Sequence, residues 1–282
     1  MVAAAAEPFA IEVDGLALAG EQEGEGECVV LLHALTATRS GVLHGSRYLS
    51  RHGFRTIAYD ARGHGDSGPA PAGEGYGYDR LAADLGAVLA ERAPNERVVL
   101  AGSSMGAHTA LAFALEHPEA VAGLVLIGPA YPGTPPPADE LARWDELADG
   151  LERDGAEGFM AVYATRDHDP RWREAVLRTT RARLAAHRDL DALAGALREV
   201  PRSRPFESLD ELRFCELPAL VVASGDEADP GHPYAVAEFY AEALPHGRLL
   251  GDRPGESPLA WQGGRLSRAI TAFRGEAAGQ RL

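Results

Sequence analysis

Cysteine is scarce. Cys28 and Cys215 are the only two in 282 residues. Two isolated thiols cannot build a disulfide framework or a zinc cluster. Each opens an apolar run, which predicts buried thiols packed as small hydrophobes. Basic charge is also short. With 27 Lys and Arg against 42 Asp and Glu, the formal charge is −15. Phosphate backbones require clustered cations, so no nucleic-acid partner is expected. The acidic balance names no substrate, because most such carboxylates only solvate a surface. No apolar run is long enough to span a bilayer, so no membrane partner is expected. Residues 1–7 lack both a basic n-region and a long apolar h-region. No signal peptide is expected, and a cytoplasmic location is the default. There is no internal repeat, and no low-complexity tract beyond one short proline run.

What is present reads as an α/β protein. Apolar residues make up 45% and charged residues 24%, the balance of a soluble globular chain. The length suits one large core, or a core with a lid. Two short apolar runs, 9–13 and 16–19, flank Asp14-Gly15, which predicts a β-hairpin. A continuous apolar run at 28–33 predicts a buried central strand, and further strands are expected at 54–59, 98–101 and 121–127. Helical periodicity fits 42–51, 80–91 and 105–116. Such alternation predicts a mostly parallel sheet with helices on both faces.

The alternation then breaks. Residues 131–137 form a proline-rich linker, and four helical stretches follow at 139–151, 155–163, 170–187 and 189–199. Strands resume at 217–223 and 248–250, with helices at 234–244 and 259–273. The expected organisation is a core of residues 1–130 and 206–282, interrupted by a helical lid at 131–205.

The chemistry-bearing motif is Gly102-Ser103-Ser104-Met105-Gly106. A strand precedes it and a helix follows, the context that gives Gly-x-Ser-x-Gly its meaning. The turn is so tight that side chains at 102 and 106 would clash, and it lifts the Ser104 hydroxyl into the open. A helix N-terminus there favours developing negative charge. The bland alternative is an ordinary glycine-rich turn.

Two further stretches carry a family resemblance. Val29-Val30-Leu31-Leu32-His33-Ala34-Leu35-Thr36 is a strand running into a loop, and Tyr59-Asp60-Ala61-Arg62-Gly63-His64-Gly65-Asp66-Ser67-Gly68 follows the next strand. With the serine motif, they resemble the α/β-hydrolase superfamily, in its lid-bearing esterase, lactonase and C–C-hydrolase branch. The resemblance covers the whole chain except the helical insert. It implies an α/β-hydrolase fold with Ser104 as nucleophile. It implies an oxyanion hole from the N–H groups of Leu35 and Met105. Ala34 stands where the family usually has glycine. The Asp, Arg and His of the second loop are expected to be structural, His64 included.

The same resemblance places the acid after strand 217–223. Asp229 best fits the Asp-Pro-x-x-Pro frame, with Asp226 as fallback. The base should be a histidine in a Gly-His-Ser-Pro frame after the last strand. Here Pro254-Gly255-Glu256-Ser257-Pro258 keeps the frame and puts Glu256 in the histidine's place. No histidine follows His246. A serine needs a neighbouring base, and a carboxylate of ordinary pKa is a weak one. Three readings stay open. His232, three residues past Asp229, reaches Ser104, with His108 and His168 as weaker candidates. Alternatively, Asp229 and Glu256 act as a carboxylate pair, one pKa raised by the other charge. Or the pocket holds a small molecule without covalent chemistry.

The insert supplies Trp144, Phe159, Met160, Tyr163 and Trp172 to line a pocket or, more simply, to form its own core. Arg173, Arg178, Arg181 and Arg183 would meet an anionic substrate or lie on a solvated face. The leading expectation is an ester or lactone hydrolase acting through Ser104 on a small molecule, with no cofactor or metal. The alternative is a non-hydrolytic binder, lyase, isomerase or cyclase using the same cavity. An acyltransferase ranks third: His-Ala-Leu-Thr resembles homoserine acyltransferases, but their terminal Asp and His pair is absent.

Overall fold

In a computed structural model the described residues are 6–225, 230–252 and 257–279. Strands β1 (Glu7–Val13) and β2 (Leu16–Glu23) form the expected hairpin. Its turn puts Asp14 at φ 50° and Gly15 at φ 84°, the left-handed pair that matches strand twist. β2 pairs antiparallel with β4 (Phe54–Tyr59), and β4 runs parallel to β3 (Glu27–Leu32). Parallel pairing continues through β5 (Val98–Ser103), β6 (Val121–Ile127), β7 (Ala219–Ala223) and β8 (Gly247–Gly251). The sheet has eight strands in the order β1-β2-β4-β3-β5-β6-β7-β8.

The central strands are mostly apolar because both faces are covered. Alternate residues divide between the two faces. Val30, Leu32, Leu100, Leu124 and Val221 pack with α1 (Tyr78–Arg92), α2 (Met105–Glu116) and α6 (Tyr234–Ala243). Val29, Leu31, Val99, Val125 and Val222 pack with Leu266, Ile270 and Phe273 of the C-terminal helix α7 (Gly263–Gly279). Each such side chain contributes about 1.5–3 kcal/mol by leaving water.

Between β6 and β7 lie α3 (Ala138–Tyr163), α4 (Arg173–Leu184) and α5 (Leu190–Glu199). α3 contains the two stretches read separately from the sequence. They meet at a break where Gly155 has φ 61° and ψ −149°, a conformation only glycine adopts without strain. Leu147, Leu151, Phe159, Leu193 and Leu197 form a third apolar cluster, which also takes in Leu35 and Met105.

The helix expected at 42–51 is not there. Only a 3-10 turn, Arg39–Gly41, precedes a run of turns. His44 at φ 48° and Gly45 at φ 77° place two left-handed residues in succession, and no helix continues through that. Val42, Leu43 and Leu49 still bury their side chains against the sheet, which is why the apolar spacing read as helical. No helix among the described residues is long and apolar enough to cross a membrane.

Candidate active site

β5 ends at Ser103 and α2 begins at Met105, so Ser104 alone makes the turn between strand and helix. Its backbone sits at φ 50° and ψ −111°, a region non-glycine residues rarely enter. The turn is held from both sides. Ser104 N–H donates to Ile127 C=O at the end of β6 (2.9 Å), and Ser104 C=O accepts from His108 N–H (3.1 Å). The flanking glycines are required by space. A Cβ at Gly102 would overlap the Gly106 carbonyl, and one at Gly106 would overlap the Leu32 carbonyl. The hydroxyl is therefore presented at the carboxyl edge of the sheet, above the first turn of α2.

Leu35 and Met105 approach this edge from different elements. Met105 is the first residue of α2, so its N–H has no intrahelical acceptor. Neither it nor Leu35 N–H donates to a protein acceptor among the described residues. The Leu35 loop is clamped. His33 Nδ1 donates to Ala34 C=O (2.9 Å) while its Nε2 accepts Ala61 N–H (2.9 Å), which fixes the neutral tautomer. Ala37 N–H also reaches Ala34 C=O (2.8 Å). In a planar trans peptide the N–H opposes the C=O, so holding Ala34 C=O sets the direction of Leu35 N–H.

The loop after β4 supplies the next layer. Fully buried Asp60 accepts Arg39 N–H (2.7 Å) and Asp66 N–H (2.9 Å), and pairs with the Arg39 guanidinium. Arg62 makes a bidentate pair with Asp84 of α1, both bonds 2.8 Å. Its Nη1 reaches Gly75 C=O (3.0 Å). His64 faces the carbonyls of Leu35 (2.6 Å) and Arg62 (2.8 Å). Burial lowers its pKa, against the pull of those carbonyls and of Asp60. These contacts make the motif a brace for the Leu35 loop. His187, between α4 and α5, also enters this layer, and no sequence pattern pointed to it.

The histidine candidates separate clearly. His108 is buried, and its Nε2 accepts the N–H groups of Ala130 (3.1 Å) and Tyr131 (3.2 Å). Its Nδ1 therefore carries the proton and meets the Tyr78 hydroxyl (3.0 Å). Burial, then the nearby His232, pushes its pKa down to about 3. It is a fixed structural ring. His168 stays in the insertion, its ring tilted against Tyr163 with its Nε2 on Tyr163 C=O (3.2 Å). His232 lies at the sheet edge. Its ring is 3.4 Å from where a Cβ on Gly128 would be, and Gly128 follows the Ile127 that anchors Ser104. Among the described residues no imidazole is hydrogen-bonded to the Ser104 hydroxyl. Asp226, Asp229 and Glu256 lie outside the described residues. The residues bordering the Glu256 segment are tied together, since both Asp252 oxygens accept Leu259 N–H at 2.8 Å.

In the insertion, Phe159 and Met160 are core residues, and Trp144 and Tyr163 pack against that core. Trp172 meets Trp261 edge to face at 5.7 Å, so the start of α4 rests beside the segment after β8. Arg178 pairs with Glu174 and Arg181 with Glu157 on the surface, while Arg173 caps Ala164 C=O. Those three arginines belong to the solvated face that the sequence offered as the plain alternative.

The comparisons agree with this fold. The alpha/beta hydrolase fold family matches residues 27–216. A 2-hydroxy-6-oxononadienedioate/2-hydroxy-6-oxononatrienedioate hydrolase of Pseudomonas putida is 32% identical over 207 residues, 71% of each chain. A non-heme haloperoxidase of Rhodococcus erythropolis is 32% identical over 158 residues, 56% of this chain and 54% of its own. The chain thus spans about half the length of that relative and of another from Bacillus subtilis. Among solved structures, a thermophilic esterase from Thermogutta terrifontis superposes with a TM-score of 0.74 at 24% identity, covering 97% of this chain and 99% of its own. An enol-lactonase from Burkholderia xenovorans gives 0.76 at 21%, with 94% and 99% covered. A strained serine between β5 and α2, braced loops beside it and a family match over two thirds of the sequence place this chain in the alpha/beta hydrolase fold family.

Proposed function

We propose that the protein hydrolyses a carboxylic ester or lactone of a small molecule through Ser104. The observation that carries this reading is the Ser104 turn itself. A serine is held at φ 50° between two glycines that admit no Cβ, at the start of α2. Proteins keep such strain where it presents a reacting group. Ser104 Oγ bonds to the substrate carbonyl carbon and gives up its proton to the base. The carbonyl oxygen becomes an oxyanion facing the N–H groups of Leu35 and Met105. Collapse breaks the C–O bond, the proton passes to the leaving alkoxide, and water then releases the acyl group from Ser104. His232 is the described candidate for the base, supported by its seat beside Gly128. Asp229 is the acid that would orient it, and Glu256 the alternative proton carrier. The helical insertion, residues 131–205, serves as a lid whose apolar cluster includes Leu35 and Met105.

A fluorophosphonate probe tests this. Mass spectrometry should find a covalent adduct on Ser104 that Ser104→Ala abolishes. Absence of labelling across a broad pH range would remove the hydrolase reading and favour the non-hydrolytic one, which rests on Glu256 standing where the family has histidine. If labelling occurs, His232→Ala should slow it by at least about 100-fold. An unchanged rate in His232→Ala, with a loss in Glu256→Ala, would transfer the proton to the carboxylate.

A further inference from the structure

Three consecutive carbonyls of the Leu35 loop are each taken by a different imidazole. His33 Nδ1 holds Ala34 C=O (2.9 Å), His64 Nε2 holds Leu35 C=O (2.6 Å), and His187 Nε2 holds Thr36 C=O (3.2 Å). The rings are neighbours, with centroids 5.0 Å apart for His33 and His64 and 5.6 Å for His64 and His187. The first two belong to the sheet's own loops. The third comes from the insertion, between α4 and α5, and it is 9% exposed.

His187 also grips the second loop. Its Nδ1 accepts Gly65 N–H at 3.0 Å, so its proton must be on Nε2, where it donates to Thr36. The next residue extends the hold: Arg188 N–H donates to Gly65 C=O (3.1 Å) and its guanidinium pairs with Asp66 (2.7 Å). Asp60 fills the space where a Cβ on Gly65 would stand, so only glycine fits this close to it. The hydrogen bonds and the intervening chain close a ring running His187, Thr36, Leu35, His64, Gly65 and back to His187. The one member of that ring that leaves when the insertion lifts is His187.

We propose that His187 is a positioning residue that couples seating of the helical insertion to the direction of Leu35 N–H. With the insertion docked, all three carbonyls are fixed and the two N–H donors at Ser104 converge. With it displaced, Thr36 C=O and Gly65 N–H lose their shared partner; Ala37 N–H, in the same peptide as Thr36 C=O, loosens its hold on Ala34 C=O, and the peptide bearing Leu35 N–H keeps the His33 bond alone. The hole is thus completed by the lid rather than preformed in the sheet. This rests on the reading of Ser104 as nucleophile and of Leu35 N–H as an oxyanion donor.

The test uses His187→Ala and His187→Gln in the full chain. Glutamine keeps one acceptor and one donor, so it can serve Gly65 N–H and Thr36 C=O together. Hydrogen exchange of the 33–41 segment should quicken in His187→Ala and return toward wild type in His187→Gln. Fluorophosphonate labelling of Ser104 should slow by about tenfold or more in His187→Ala, with rescue by glutamine. For an activated ester, the loss should fall on kcat with KM nearly unchanged. Unaltered exchange in His187→Ala overturns the coupling whether or not the wild type is labelled. Faster exchange with an unaltered labelling rate overturns the link to the oxyanion hole and leaves Ser104 standing. A wild type that never labels removes the Ser104 reading, and the catalytic half of this inference with it. Equal loss in both variants, with equal loss of thermal stability, would make His187 a packing residue only.

Discussion

At the scale of single residues, the site is a trade between geometry and strain. Ser104 occupies a backbone region that costs about 1–3 kcal/mol for a side chain bearing Cβ. Ser104→Gly should therefore raise stability by about 1 kcal/mol, after the extra unfolded-state entropy of glycine is subtracted. A thermal midpoint about 2 °C higher, with no probe labelling, is the expected result. Gly106→Ala points the other way. Its methyl group would overlap the Leu32 carbonyl, which is backbone and cannot step aside. A loss of about 3 kcal/mol or more is expected in denaturant titration. The serine and its glycines were legible in the sequence because the whole device is local: five residues, one strand before, one helix after. His33 and His187 were not. Their work is to hold backbone carbonyls, and His187 reaches Thr36 and Gly65 from far along the chain. No spacing rule encodes such a contact.

At the scale of elements, legibility followed burial. β6, buried along its whole length, announced itself as an apolar run, and α2 was bounded by Ser104 and His117. The segment 42–51 misled because Val42, Leu43 and Leu49 follow a helical spacing while His44 and Gly45 forbid the helix. In the insertion, the break at Gly155 shows how one glycine converts a long helix into two that meet at an angle. Gly155→Ala should cost about 1–3 kcal/mol and speed hydrogen exchange within α3 before the sheet is affected. The brace between the β4 loop and α1 makes a sharper case. Asp84→Ala would leave the Arg62 guanidinium buried and short of its bidentate partner. About 3–5 kcal/mol of stability should be lost on denaturant unfolding. Under the proposed function, ester turnover should fall further than stability alone explains, since Arg62 C=O is one of the two carbonyls that fix His64.

At the scale of the whole molecule, buried histidine sets the response to acid. His33, His108 and His187 are buried and hydrogen-bonded as neutral rings, with pKa values lowered by burial, to about 3 for His108 and about 4 for His187. In the unfolded chain each titrates near its ordinary value of about 6.5. Below that pH the unfolded state binds protons the folded state refuses, so stability is full above it and falls as pH drops toward the folded values. Each ring contributes a slope of roughly 1.4 kcal/mol per pH unit through that window. Urea midpoints measured from pH 7.5 down to 4.5 should fall steeply, and His108→Gln should flatten the curve at the cost of a lower plateau. A flat profile in the wild type would mean that these rings take up protons in the folded protein as readily as in the unfolded chain.

The sheet order carries one more consequence, for how the protein is made. β6 and β7 lie side by side, yet α3, α4 and α5 are synthesised between them. While the ribosome works through that stretch, β6 has its partner β5 on one side and nothing on the other. All seven of its residues, Val121–Ile127, are buried in the finished protein. A nascent chain paused there exposes an apolar strand edge, the kind that captures other chains. The time needed to translate the insertion is therefore the interval in which this protein is most easily lost to aggregation. Slower translation of that segment should lower the soluble yield, and a chaperone that shields strand edges should restore it.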